Sequence, residues 1–351
     1  VEASVAEENV ITEKYSDSAI LYEDKSNTDE HSRHYILNNG TAKSVFSSQP
    51  INYYDEEKKE WEAIDNTLEE KADMYESKGG RYSTRVSKVG SGRKVSVTDN
   101  SNPYKSVTWE YLGKEGIVSY AMEGRDKTEL TIKNKEERSG SEAIYKNVEK
   151  DTDLEYSIRG NGIKENIIVR KKSGSYRYVF ELKAKGLKVR LSEDNESLEL
   201  YSEQGNKYGG TDTKTELRIP SPYMYDAKGE TSEEVYYEVE TKGEGYKFTV
   251  VASEEWINEE GREFPVTIDP QIVTNQSNFI TKQVQYKYSS SSSSSGYSNG
   301  WTNTWMFNDI KVYNDYYSQY RTCLTIKKSL MKLPYNRISS VKLILTPSNS
   351  F

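Results

Sequence analysis

Cysteine, histidine and long apolar runs are all scarce in this sequence. Its 351 residues include one cysteine, Cys323, and two histidines, His31 and His34. One cysteine excludes an internal disulfide and a thiolate metal cluster, and a serine or cysteine triad would have to use one of the two histidines. We interpret Cys323 as a core residue of a strand and the histidines as a solvated pair. No run approaches the roughly 18 apolar residues that a membrane helix needs, so no membrane insertion is expected.

Positive charge is also in deficit, whereas tyrosine is abundant. The chain has 48 Lys and Arg against 56 Asp and Glu, a net charge of −8. Nucleic-acid-binding proteins usually carry clustered basic residues, and here Lys and Arg are scattered among Glu, so no nucleic-acid partner is expected.

The 29 tyrosines outnumber 7 Phe and 5 Trp. Because tyrosine combines a large ring with a polar tip, it can build half-buried strand faces with little Leu or Ile.

Apolar and polar residues alternate from about residue 33 to residue 270, which is the period of half-buried strands. Asn39-Gly40 and Gly160-Asn161-Gly162 separate alternating segments and predict two tight hairpins. Helical signal is sparse, and Ser253 is placed to cap one short helix. The predicted fold class is therefore all-β, with a large antiparallel β-sheet or sandwich domain.

The composition of the sequence changes after Pro270. Seven consecutive serines, Ser289 to Ser295, form a low-complexity stretch, which is typical of a loop or linker. We predict a flexible N-terminal tether over 1–32, an antiparallel β domain over 33–270, and a partial second β module over 271–351 that contains the Ser-rich loop 289–295.

Aromatic residues are concentrated in the second module, between residues 286 and 320. Exposed Trp and Tyr rings stack on sugars and serve as binding hot spots for proteins. The alternative is that these rings fill the core of the module. We predict that a glycan or an extracellular protein binds through Trp301, Trp305, Tyr297, Tyr313, Tyr316 and Tyr317.

The sequence shows no specific catalytic signature. With 56 acids, some pair of carboxylates at the spacing of a glycosidase is inevitable, so proximity in sequence carries no information. The alternating Asp151, Asp153 and Glu155 are expected on one strand face, either as an exposed acidic surface or as a Ca²⁺ site. No other cofactor is expected, and the chain is predicted not to be an enzyme.

Four stretches carry recognisable motifs: Tyr53 to Leu68, Ile144 to Ile168, Glu255 to Pro270, and Tyr320 to Leu345. In this order they resemble a family of bacterial wall-associated surface proteins, the WapA-like, Rhs/YD-repeat and DNRLRE-domain proteins. The resemblance implies a secreted or cell-wall-associated β-rich protein whose last unit is a jelly-roll-like, DNRLRE-type β-sandwich. Cys323 and Thr325 depart from the residues usual in that unit, and neither YD repeats nor a toxin domain is present.

From these observations we expect a non-catalytic module for display and ligand recognition at a bacterial surface. Three alternatives stay open. The first is a binder of a host secreted or surface protein such as immunoglobulin, with strand addition at a sheet edge as the mode. The second is a hydrolase that uses carboxylates, and the third is the N-terminal part of a toxin-delivery protein.

Overall fold

The chain divides into two compact units. The computed structural model describes residues 19–47, 50–114, 128–135, 140–160, 162–192, 197–205, 210–269, 271–274, 281–291, 294–302 and 321–324. The larger unit is Pro50–Asn275, and the smaller one combines Val1–Gln49 with Gln276–Phe351. The boundaries expected at residues 32 and 270 stay predictions.

Strands account for nearly all regular structure in the described residues. The one α-helix among them, α1, spans Glu254–Asn258. The strands in chain order are β1 (Ile20–Glu23), β2 (Ser32–Leu37), β3 (Ala42–Phe46), β4 (Asn52–Asp55), β5 (Glu60–Ala63), β6 (Asp65–Glu70), β7 (Met74–Gly79), β8 (Tyr82–Ser87), β9 (Lys94–Asp99), β10 (Ser106–Gly113), β11 (Glu129–Asn134), β12 (Gly140–Glu149), β13 (Thr152–Arg159), β14 (Gly162–Val169), β15 (Arg177–Lys185), β16 (Lys188–Leu191), β17 (Leu198–Gly205), β18 (Thr211–Ile219), β19 (Tyr223–Tyr225), β20 (Thr231–Ser232), β21 (Val235–Lys242), β22 (Gly245–Ala252), β23 (Val266–Asp269), β24 (Gln271–Thr274), β25 (Thr281–Ser291), β26 (Ser294–Thr302) and β27 (Arg321–Leu324).

Two large antiparallel sheets form the larger unit. One has eight strands in the order β21-β22-β15-β10-β9-β8-β7-β6. The other has eleven strands, with a main path β11-β12-β13-β14-β24-β18-β17-β16 and with β19, β20 and β23 attached beside β14. A separate hairpin joins β4 to β5. The larger unit therefore confirms the all-β, antiparallel prediction.

The two sheets share one hydrophobic core, as in a sandwich. Trp109 of the eight-stranded sheet lies 6.4 Å from Tyr156 of the other sheet, measured between ring centroids. The hydroxyl of Tyr145 donates to the Ser87 carbonyl oxygen across the same space, at 2.5 Å. Tyr178 is also fully buried. Tyrosine thus supplies much of the core and satisfies some of its own polar tips inside it, as the composition predicts.

The structure confirms the two hairpin turns and the helix cap that the sequence predicts. β2 pairs with β3 across Asn39-Gly40, and Gly40 has φ of 75°. β13 pairs with β14 after Gly160, whose φ is 51°. The Ser253 side chain accepts a hydrogen bond from the Trp256 amide at the start of α1. These features depend on a few neighbouring residues and so can be predicted locally.

The smaller unit contains two described three-stranded sheets, β1-β2-β3 and β26-β25-β27. Strand β1 lies in the region predicted as a tether, and Ser289–Ser291 of the serine run pair with Ser294–Gly296 at the end of the β25–β26 hairpin. The expected solvated histidine pair is wrong for His34, which is 4% exposed. Its Nδ1 lies 2.7 Å from Ser44 Oγ, because the two residues are directly opposite each other in the β2–β3 register.

Among the described residues, no helix is long and apolar enough to cross a membrane.

Candidate functional site

The aromatic residues predicted to bind a ligand fall largely beyond the described part of the chain. Tyr297 and Trp301 belong to β26, for which the structure describes the backbone pairing alone. The other four lie outside the described residues. Ligand binding by this group stays a prediction. Those four residues are Trp305, Tyr313, Tyr316 and Tyr317.

The structure does not gather the three acids proposed for calcium. Asp151 precedes β13 with φ of 59°, so the alternation of the strand does not extend to it. Asp153 forms an ion pair with Arg170 and Glu155 accepts from Asn166 Nδ2 at 3.4 Å. Within the described ranges, no group of three or more His, Cys, Asp or Glu side chains is arranged to hold a metal ion.

A surface cleft of about 280 Å³ opens on the eight-stranded sheet where β6, β7 and β8 meet. Its charges are paired with each other: the amines of Lys71 and Lys78 lie 3.4 and 3.2 Å from Glu69 carboxylate oxygens. Glu76 accepts from Arg85 Nε at 2.7 Å. Because these two acids are neutralised by cations, neither is placed to act as a general base. The cleft is lined by Glu69, Lys71, Glu76, Ser77, Lys78, Gly79, Gly80, Tyr82, Ser83 and Asn100.

A buried arginine, Arg262, lies in the segment that follows α1. The Arg262 side chain is 2% exposed and lies 3.2 Å from the fully buried carboxylate of Asp226. It also pairs with Glu230 and Glu259, and its guanidinium carbon lies 3.5 Å from the ring centroid of Trp256. Burial opposes ionisation of Asp226, but backbone hydrogen bonds and Arg262 lower its pKa. This arrangement holds a loop in place and is structural.

The most unusual chemistry lies on strand β14, which carries ionisable groups on both faces. On one face, Lys164 Nζ lies 2.7 Å from Asp269 Oδ2 of β23, with side chains 19% and 3% exposed. The other carboxylate oxygen, Asp269 Oδ1, is buried without a hydrogen-bond partner among the described residues. We call these two residues the lysine–aspartate pair. Glu155 on the neighbouring strand has a raised pKa because of burial and the nearby charge of Glu142.

On the opposite face of β14, Glu165 points into the core between the sheets. It lies opposite Tyr156 in the β13–β14 register and is 2% exposed. Burial raises its pKa to about 8 from an ordinary value of 4.5, and Tyr156 opposes this shift. Glu165 Oε1, the Tyr156 hydroxyl and Trp109 Nε1 are all buried close to one another, and none of them makes a hydrogen bond of regular geometry with the described residues. At neutral pH this carboxyl is therefore mostly protonated.

Neither feature of β14 was predicted from the sequence, although one of them had a visible signal. Glu165 is in phase with Ile163 and Ile167, which both lie in the core, so the alternation already places an acid on the apolar face. No comparable signal pairs Lys164 with Asp269, because the register that joins them is formed between segments that lie far apart in the sequence.

Proteins similar to this chain share one name. The "tRNA nuclease WapA" of Bacillus subtilis (strain 168) is 26% identical over 255 residues, which cover 69% of this chain and 10% of the relative. The "tRNA3(Ser)-specific nuclease WapA" of Bacillus spizizenii is 25% identical over 257 residues, with the same coverage. The "tRNA(Glu)-specific nuclease WapA" of Bacillus subtilis subsp. natto is 29% identical over 166 residues, or 44% of this chain and 7% of the relative. No family model and no solved structure matches.

These names overturn three expectations: a non-catalytic display module, a protein that is not an enzyme, and the absence of a nucleic-acid partner. The relatives are named as nucleases that act on tRNA. Two of these relatives match the chain over 69% of its length. The chain spans only about a tenth of the length of each of them. Its acidic composition describes that stretch and carries no information about the substrate of such a protein as a whole. Over 69% of its length this chain is similar to WapA tRNA nucleases, which confirms the WapA-like resemblance of its motifs.

Proposed function

We propose that this chain is part of a toxin-delivery protein of the WapA kind, in which it helps carry a nuclease that acts on tRNA. One observation supports this most directly. Two relatives named as tRNA nucleases are 26% and 25% identical to it across 69% of its length. The similarity extends through most of the chain and is not confined to one motif.

The architecture of the larger unit suits a carrier. Its two sheets are joined by one continuous core that includes Trp109, Tyr145, Tyr156 and Phe180. Such a core gives a stable body on which further segments can be mounted. On the surface, several lysines and arginines pair with acids on other strands of the same sheet, as Arg177 of β15 does with Glu238 of the edge strand β21 at 2.5 Å. Charged side chains on an edge strand discourage its pairing with other chains.

We further propose that the protein acts outside the cell that makes it, secreted or attached to the cell wall. The four motif stretches support this, since the family they resemble consists of wall-associated proteins. Fractionation of a strain that encodes this chain tests the location. An antibody against the larger unit should detect it in the medium or the wall fraction, and detection in the cytosol alone would contradict the proposal.

A competition experiment tests the carrier role. A strain with residues 50–275 deleted in frame is grown with susceptible neighbours, and cleaved tRNA is measured in those neighbours. We expect cleavage with the intact protein and none with the deletion, while the purified deletion protein still cleaves tRNA in a tube. The variant Arg177→Ala, which alters one exposed ion pair, is the matched control and should deliver normally.

The outcomes separate the two parts of the proposal. Normal delivery by the deletion strain would contradict the carrier role of the larger unit. If the intact protein from this strain cleaves no tRNA in a tube, the nuclease assignment is wrong, whatever the delivery result.

A further inference from the structure

The lysine–aspartate pair combines three properties. Its amine and carboxylate are already in contact, with Lys164 Nζ 2.7 Å from Asp269 Oδ2. The aspartate is 3% exposed, so little water reaches the carboxylate. Its second oxygen, Oδ1, accepts no hydrogen bond from the described residues. An ion pair buried in this way costs free energy, because both charges lose their hydration.

Ionisable groups close to the pair are also buried. Lys164 shares a face of β14 with Asn166, which lies opposite Glu155 on β13. Burial is the first cause of the raised pKa of Glu155, and burial also raises the pKa of Tyr225 on β19, close enough to feel Lys164 and Asp269. A neutral product in this place would relieve the desolvation of two ions.

We propose that Lys164 and Asp269 condense to form an isopeptide bond, a covalent amide cross-link between strands β14 and β23. Lys164 Nζ attacks Asp269 Cγ, a C–N bond forms, and one C–O bond of the carboxylate breaks. The ammonium loses two protons, and both leave with the departing oxygen as one water molecule. An ammonium and a carboxylate thus become an amide and water, so charge and electrons balance without an oxidant, a metal or another reactant.

Proximity lowers the barrier to amide formation. In dilute solution, water competes against amide formation, but groups held in contact reach effective concentrations on the order of 10⁵–10⁸ M. Regular pairing flanks the site: Ile167 lies opposite Ile268 of β23 on one side, and Ile163 lies opposite Ile272 of β24 on the other. The reacting groups therefore cannot drift apart while the bond forms.

A second ion pair in the same unit shows why this site is distinctive. Lys105 Nζ lies 2.6 Å from Glu216 Oε1, with side chains 20% and 12% exposed. Burial opposes ionisation of Glu216, but hydrogen bonds from Lys105, Ser202 and Lys214 lower its pKa to about 2. A carboxylate stabilised in this way is a poor acceptor for an amine. Lys105 and Glu216 are therefore a matched pair that should stay ionic.

Intact-mass spectrometry of the purified full chain tests the proposal. We expect the mass to be lower than the sequence mass by one water molecule. Trypsin should not cut after Lys164, and fragmentation should find the Lys164 peptide joined to the Asp269 peptide. The variants Lys164→Arg and Asp269→Ala should each have their full sequence mass, whereas Lys105→Arg should still lose one water.

Two results would overturn the cross-link. One is a wild-type protein that keeps its full sequence mass after folding at neutral pH, which needs no variant to interpret. The other is loss of one water that persists in Lys164→Arg, since the dehydration would then lie elsewhere. Neither result depends on tRNA cleavage, so the cross-link can fail while the proposed function stands.

Discussion

Replacing Glu165 by Gln should stabilise the larger unit, and the gain should grow as the pH rises. Glu165 lies in the core opposite Tyr156, and burial raises the pKa of its carboxyl to about 8 from 4.5. The folded state therefore holds the proton more tightly than the unfolded chain. Stability from this group is complete below pH 4.5 and is lost as the pH rises toward 8. Glutamine fills nearly the same volume and has no proton to lose.

The size of the effect follows from the shift. Each pH unit between the two pKa values changes the free energy of unfolding by about 1.4 kcal/mol. Between pH 5 and pH 8 the wild type should thus lose about 3 to 4 kcal/mol relative to Glu165→Gln. Other titrating groups act equally on both proteins, so they cancel in the difference. For a domain with marginal stability, this is a large fraction of the total.

Urea unfolding at pH 5 and pH 8, followed by tryptophan fluorescence, measures this difference. Trp109, which is 2% exposed, reports on the core next to Glu165. The control is Glu240→Gln, which changes an acid that is 63% exposed and should shift stability little at either pH. A stability difference between wild type and Glu165→Gln that is the same at both pH values would refute a buried, protonated carboxyl.

Three further substitutions test the packing, each by urea unfolding at pH 7. Arg262→Ala leaves the fully buried Asp226 carboxylate without its guanidinium partner and should cost about 3–5 kcal/mol. Gly186→Ala places a Cβ 2.5 Å from the Tyr104 carbonyl oxygen at a φ of +70°, and should cost at least ~2 kcal/mol because strain and overlap combine. Ser253→Ala removes the N-cap of α1 and should cost about 1 kcal/mol.

Matched controls separate these effects from the mere loss of a side chain. Arg177→Ala removes an arginine whose ion pair with Glu238 is exposed, so the loss should stay below about 1 kcal/mol. Gly243→Ala introduces the same positive-φ strain, with φ of +59°, but no atom lies within 4 Å of the new Cβ. Equal losses in Gly186→Ala and Gly243→Ala would show that contact with Tyr104 contributes nothing.

The sequence predicted local features well and long-range pairing poorly. The hairpin at Asn39-Gly40 and the cap at Ser253 depend on a few adjacent residues, and both are confirmed. In contrast, β15 lies between β10 and β22, an order that no turn residue specifies. Sheet neighbours of this kind are selected by packing across the whole unit, and their information is spread over many side chains.

The candidate site shows the same division. Alternation placed Glu165 beside Ile163 and Ile167 on a buried face, so its burial was predictable in principle. The contact between Lys164 and Asp269 depends on β23 reaching β14, which composition and periodicity do not reveal. The function could not be predicted from the composition, because an acidic, tyrosine-rich stretch gives no indication of tRNA, the substrate in the names of similar proteins.

The position of β24 sets when the larger unit can finish folding. This strand, the last of its unit, is inserted between β14 and β18 and is the described link from β18, β17 and β16 to the rest of the sheet. A chain that emerges from the ribosome N-terminus first cannot complete the sheet until residue 274 is available. Until then β14 and β18 keep open edges, which attract proteases and other strands. An interrupted chain that lacks β24 therefore exposes strand edges that the complete larger unit covers.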